Sequence, residues 1–148
     1  MFKPKKILVP TDFSDHADRA LEKAIDIAKE EGSEIILFHV IHEDFQTCVV
    51  DYCFTANEID AFKKRVFQAA SENMQKQLDK FPSSKEVKVS IEARNGIPYE
   101  EIIKLQEEKG ADLIVISPHG RSAIKAFFMG NVASRVLKHA KGEVLLVK

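Results

Sequence analysis

The stretch Glu34–Ile41, with the sequence EIILFHVI, is nearly continuous in apolar residues. A run this short and this apolar is typical of a strand that is covered on both faces, as in a parallel sheet. The pattern recurs at residues 6–9, at Asp112–Ser117 (DLIVIS) and at Glu143–Val147 (EVLLV). A fifth run, Val87–Glu92, alternates apolar with polar side chains and predicts a half-exposed strand.

Amphipathic stretches of helix length separate these five runs. The first follows the polar turn Pro10–Ser14, carries apolar residues at helical spacing and should end at Gly32. The second covers residues 56–81, and its broad apolar stripe is better explained by packing on a sheet than by a coiled coil. The third lies between Pro98 and Gly110, and the fourth begins with Asn131 as a candidate N-cap.

The alternation of strands and helices predicts an α/β fold with a five-stranded parallel sheet and helices on both faces. A length of 148 residues fits one domain, residues 1–148. The net charge of −1 gives no reason to expect a nucleic acid or an anionic membrane as partner. No apolar run approaches the roughly 20 residues of a membrane span, and none near the start resembles a signal peptide, so a cytoplasmic location is expected.

In open parallel sheets, ligands bind at the carboxyl ends of the strands, where the strand order reverses. The most informative segment there is Ser117–Asn131, a glycine-punctuated loop that runs from a buried strand to a helix N-terminus. Glycines let a backbone approach a ligand, and a helix N-terminus offers N–H groups to a phosphate, with Arg121 and Lys125 adding positive charge. Glycine is also the default turn residue, so the loop alone leaves a phosphate site and a plain turn both open.

The spacing of this loop resembles the nucleotide motif of the universal stress protein family, G-x2-G-x9-G-[S/T]. The second and third glycines of the motif match Gly120 and Gly130. Ser117 replaces the first glycine, Asn131 replaces the final hydroxyl residue, and Pro118 removes a backbone donor. The resemblance extends over the whole chain and implies a Rossmann-like or flavodoxin-like open sheet with strand order 3-2-1-4-5.

The resemblance also implies a set of nucleotide-contacting residues. The adenine and ribose would lie near Asp12 and Val40, with Pro10 and Thr11 as pocket wall. The phosphates would lie over the loop and the helix start, at Ser117, His119, Gly120, Arg121, Gly130, Asn131, Val132 and Ala133. Asp12 has an alternative role as a cap of the helix that follows it.

The function expected from this resemblance is the binding of ATP, or of AMP or ADP, in a stress or signalling response. Mg²⁺ would accompany ATP because it bridges phosphate oxygens. No residue is placed as a base or nucleophile for fast hydrolysis, and His119 is interpreted as a neighbour of the phosphates. Relatives dimerise through their last strand, so residues 143–147 are expected to form a homodimer, and their apolar character at a sheet edge agrees with this.

Two other functions stay open. The departures at Ser117, Pro118 and Asn131 favour a dimeric interaction protein of the same fold that binds no nucleotide. An enzyme acting on a small phosphorylated substrate is a weaker alternative. The sequence contains neither a P-loop nor a G-x-G-x-x-G motif, so P-loop NTPases and Rossmann dehydrogenases are not supported. His39 and His42 would point to opposite faces of a strand, which disfavours a metal pair.

Overall fold

The computed structural model describes residues 1–42, 45, 54–120 and 129–148, and these contain five parallel strands in one sheet. The strands are β1 (Lys6–Pro10), β2 (Glu34–Ile41), β3 (Val89–Asn95), β4 (Leu113–Ile116) and β5 (Glu143–Leu146). Their order is β3-β2-β1-β4-β5, as the sequence predicted. From β1 the chain first adds β2 and β3 on one side of the sheet and then β4 and β5 on the other side. The winding direction therefore reverses between β1 and β4.

Four α-helices connect the strands within the described residues. They are α1 (Asp15–Glu31), α2 (Ala56–Asp79), α3 (Pro98–Lys109) and α4 (Asn131–His139), and a short 3₁₀ helix spans Pro82–Glu86. Gly32 and Gly110 end α1 and α3 in the left-handed conformation expected of C-terminal glycines. None of the described helices is long and apolar enough to cross a membrane.

Alternation along the strands divides the core into two layers, because successive side chains point to opposite faces. On one face, Ile7 and Val9 of β1 pack with the buried stripe of α1 and with Met74 of α2. On the other face, Leu8 packs with Ile102 of α3 and with residues of α4. The sheet is therefore covered on both sides, which explains the continuous apolar runs in β1, β2 and β4.

Several sequence-based boundaries differ from the structure, and three of them have a clear local cause. The last helix takes Gly130 as its N-cap, and Asn131 is its first helical residue, so the expectation that Asn131 is the cap was wrong. The third strand begins at Val89, because Val87 still belongs to the end of the 3₁₀ turn. The second helix ends at Asp79, where Lys80 caps it and Pro82 opens the 3₁₀ helix.

Candidate functional site

A cavity of about 270 Å³ lies at the carboxyl ends of β1 and β4, where the strand order reverses. Every residue that the sequence analysis predicted for this site lines it, apart from Arg121, which lies outside the described residues together with Lys125. The predicted residues that line it are Pro10, Thr11, Asp12, Val40, Ser117, His119, Gly120, Gly130, Asn131, Val132 and Ala133.

One wall of the cavity is apolar and was only partly predicted. Phe38 and Val40 come from the end of β2, and Pro98 and Ile102 come from the first turns of α3. Phe38 is fully buried and Ile102 almost so, which makes this wall continuous with the core. The cavity thus has an apolar surface on one side, against which a flat ring can pack.

The turn after β1 brings a carboxylate to the cavity. The Asp12 carboxylate accepts a hydrogen bond from the Ser14 N–H at 3.0 Å, which closes an Asx turn. Ser14 is the N-cap of α1, because its hydroxyl accepts from the Ala17 N–H. The alternative in which Asp12 caps this helix is therefore wrong: Asp12 fixes the turn that precedes the cap.

Phe13 completes the turn in an unusual conformation. Its φ is +65°, a left-handed value that costs a side-chain-bearing residue energy. Its ring lies 4.4 Å from the His39 ring, centroid to centroid. The His39 Nδ1 donates to the Thr11 carbonyl at 2.8 Å, which fixes the tautomer because a carbonyl can only accept. The aromatic pair and this bond hold the turn against the end of β2.

Two glycines bring the second wall close to this turn. A Cβ on Gly120 would lie 2.6 Å from the Asp12 Oδ2, so only glycine allows the loop to approach that carboxylate without displacing it. A Cβ on Gly130 would lie 3.1 Å from the Pro118 carbonyl oxygen. Both glycines therefore serve close approach of backbone to a neighbour, and neither has a positive φ.

Part of the loop's donor capacity is used within the loop. The Gly130 N–H donates to the Pro118 carbonyl, and the His119 N–H donates to the Ser117 hydroxyl at 3.2 Å. Further N–H groups lie at the N-terminus of α4, where the first intrahelical bond is donated by Ser134. The N–H groups of Asn131, Val132 and Ala133 precede it and have no acceptor within the helix. Residues 131–133 line the cavity, and a helix N-terminus of this kind can hold an anion.

Two histidines, His39 and His119, line the cavity. The His16 and His119 rings meet edge to face with centroids 5.5 Å apart. His42 Nδ1 donates to the Gly96 carbonyl at 3.2 Å. No group of three histidine, cysteine or acidic side chains able to hold a metal ion occurs among the described residues.

A parallel sheet that reverses its winding at β1 and β4, with a cavity at that reversal, defines a doubly wound α/β protein. A sequence model of the universal stress protein family matches residues 3–148. The chain therefore belongs to the universal stress protein family.

Several relatives are similar over nearly the whole chain. Universal stress protein MJ0577 of Methanocaldococcus jannaschii is 31% identical, with 97% of this chain and 94% of that protein covered. A solved structure of MJ0577 has a TM-score of 0.82 and 32% identity, with 99% of this chain and 97% of that chain covered.

Two more distant solved structures contain nucleotides. A universal stress protein in complex with cAMP has a TM-score of 0.65 at 22% identity and covers 99% of this chain and 98% of its own. The universal stress protein of Archaeoglobus fulgidus in complex with dAMP has a TM-score of 0.62 at 21% identity and covers 99% of this chain and 100% of its own. At these identities the likeness is one of fold.

Proposed function

We propose that this protein binds an adenine nucleotide in the cavity at the carboxyl ends of β1 and β4. The observation that carries the proposal is that an apolar wall and the N-terminus of α4 line one cavity. A nucleotide has the matching parts, a flat apolar base and a charged phosphate group. The relatives whose structures contain cAMP and dAMP support the proposal, because both ligands are adenine nucleotides.

In this proposal the base lies against Val40 and the ribose lies near Asp12, whose carboxylate can accept from a hydroxyl or amine. The phosphates lie over Gly120 and Gly130 and face the N–H groups at the start of α4. ATP, AMP and ADP all fit this scheme, and Mg²⁺ accompanies ATP because it bridges phosphate oxygens. In the same proposal residues 1–148 form one domain, which acts in the cytoplasm.

Binding rather than rapid turnover is proposed, because no imidazole among the described residues bonds the Ser117 hydroxyl, which lines the cavity. The Ser117 oxygen accepts from the backbone N–H of His119, and the buried Nδ1 of His119 contacts no described hydrogen-bonding group. An enzyme acting on a small phosphorylated substrate would instead show turnover that is lost in Asp12→Ala.

Calorimetric titration of nucleotide-stripped protein with ATP and Mg²⁺ tests the proposal. Saturable binding is expected, and it should be weakened in Asp12→Asn and lost in Gly130→Val, whose side chain would press on the Pro118 carbonyl. Asp26→Asn is the matched control, because Asp26 lies on α1 and does not line the cavity. No heat from the folded wild-type protein would contradict the proposal.

The internal pairing of the loop favours a second candidate function, that of a dimeric interaction protein without nucleotide. Pro118 has no N–H, and the N–H groups of His119 and Gly130 already bond within the loop. In both functions we propose a homodimer through residues 143–147, since β5 is an edge strand with half-exposed apolar side chains. Sedimentation showing only monomer at micromolar concentration would contradict the dimer.

A further inference from the structure

A buried amide behind the cavity connects α2 with the turn after β1. The Gln77 side chain is 3% exposed and does not line the cavity. Its Oε1 accepts a hydrogen bond from the Thr11 hydroxyl at 2.8 Å. Its Nε2 donates to the Asp18 Oδ1 of α1 at 2.9 Å. One side chain of α2 therefore bonds both the cavity turn and the neighbouring helix.

Asp18 determines which atom donates and which accepts in this series of hydrogen bonds. The Asp18 carboxylate is an acceptor only, and it also receives the Lys80 ammonium at 2.8 Å, a bond that raises the pKa of Lys80. Because Asp18 must accept, the Gln77 Nε2 faces it and the Oε1 faces Thr11. The Thr11 hydrogen is then directed to Gln77, which leaves the hydroxyl oxygen to accept from the Phe13 N–H at 3.0 Å.

At Thr11, this series of hydrogen bonds reaches the turn that carries the Asp12 carboxylate of the candidate site. The bond between the Phe13 N–H and the Thr11 hydroxyl spans Asp12 and supports the left-handed conformation of Phe13. Asp12 in turn bonds the Ser14 N–H and lies against Gly120. A displacement of the Thr11 hydroxyl would release a strained turn, and the Asp12 carboxylate would lose its position at the cavity.

We propose that Gln77 is a positioning residue for the nucleotide cavity. By orienting the Thr11 hydroxyl, it holds the turn Pro10–Ser14 in the form that directs Asp12 to the ligand. The effect on affinity rests on the proposed nucleotide function, whereas the effect on the turn does not require a ligand.

The first test compares Gln77→Met with Gln75→Met. Gln75 lies on the same helix, and its amide makes an exposed bond to Asp79, so this variant controls for the substitution itself. Titration with ATP and Mg²⁺ should show about tenfold weaker binding in Gln77→Met only, the effect of one lost hydrogen bond. In ligand-free ¹H–¹⁵N spectra, the Phe13 and Ser14 amide signals should shift in Gln77→Met and stay in place in Gln75→Met.

The second test reverses which side chain donates in the hydrogen bond between residues 77 and 18. Gln77→Glu places a carboxylate against Asp18, with Lys80 and Asp15 as the other nearby charges, and should weaken binding. At low pH the introduced acid takes up a proton, donates to Asp18 as the amide did, and affinity should rise. Adding Asp18→Asn supplies an amide donor, so the double variant should recover the affinity of Asp18→Asn alone at neutral pH.

The outcomes separate this inference from the proposed function. If wild-type protein does not bind ATP, the proposed function fails, and the ligand-free spectra still judge the positioning role. Unchanged Phe13 and Ser14 signals in folded Gln77→Met, or equal affinities of Gln77→Met and Gln75→Met, overturn the inference. If Gln77→Met does not fold, the double variant decides, and a failure of Asp18→Asn to restore Gln77→Glu overturns it.

Discussion

Replacing Gln106 by methionine should make the protein more stable, which is the opposite of the usual result for a buried residue. Gln106 lies on α3, is 2% exposed, and its Oε1 and Nε2 have no hydrogen-bond partner among the described residues. Burying an amide without a partner costs about 1–3 kcal/mol in proteins. Methionine has a similar volume and no polar group, so it removes this cost without leaving a cavity.

The expected gain for Gln106→Met is about 2 kcal/mol, which corresponds to a rise in Tm of about 4–8 °C for a chain of this length. Urea unfolding should be followed by far-UV circular dichroism, because the chain contains no tryptophan. Gln106 borders a surface depression near Phe2 and Gly142 and does not line the cavity, so ATP affinity should not change.

Gln77→Met is the matched comparison, because the same substitution is made at a residue that is buried to the same extent as Gln106. Its amide bonds Thr11 and Asp18, so the variant should lose about 1–3 kcal/mol where Gln106→Met gains. Gln75→Met, at an exposed position, should be nearly neutral. A loss of stability in Gln106→Met would refute the reasoning, since it would mean that the Gln106 amide is satisfied in solution.

Three further changes have predictable effects on stability. Gly32→Ala should cost about 1–2 kcal/mol in urea unfolding, because the φ of +72° is strained for alanine although a Cβ there would contact nothing; a neutral result would contradict this. Met74→Ala should cost about 2–5 kcal/mol, since Met74 is fully buried in the core, and Tm should fall accordingly. The hydrogen bond from Arg94 lowers the pKa of Glu108, so this pair stabilises the fold above the unfolded pKa of the carboxyl group and stops doing so as the pH falls through its lower folded value. The urea midpoints of Arg94→Met and wild type should therefore converge below about pH 4, and a difference that is independent of pH would exclude this cause.

The fold could be predicted because its signals are local. The runs in β2 and β4 are apolar on both faces, and Gly32 and Gly110 mark helix ends within their own turns. Helix starts were less certain: a glycine followed by an asparagine offers two possible caps, and the side chain of Asn131 suggested the wrong one. Strand order followed from the family resemblance rather than from periodicity.

In the candidate site, too, some residues could be predicted from local signals and others depended on packing. Asp12 and Gly120 follow strand ends and Val40 lies near the end of β2. The carboxyl ends of parallel strands meet at one edge, so their proximity was predictable. Ile102 was missed because its exposure to the cavity depends on how α3 packs on the sheet, whereas Pro98 was interpreted first as a turn residue and second as a pocket residue. Gln77 had a usable signal: it lies three residues after Met74 and seven after Ala70, on the buried stripe of α2, where a polar residue needs a partner.

The central place of β1 in the sheet has a consequence for protein synthesis. β1 leaves the ribosome well before β4, but the Lys6 amide bonds Asp112, 106 residues later, and Ile7 pairs with Leu113. At ordinary translation rates the edge of β1 that pairs with β4 stays unpaired for about 5–20 s, until β4 has been synthesised. During that time an unpaired apolar strand is open to pairing with other nascent chains. Yield of native protein should therefore depend on how quickly residues 42–112 are translated, and chaperones that shield nascent strands should raise it.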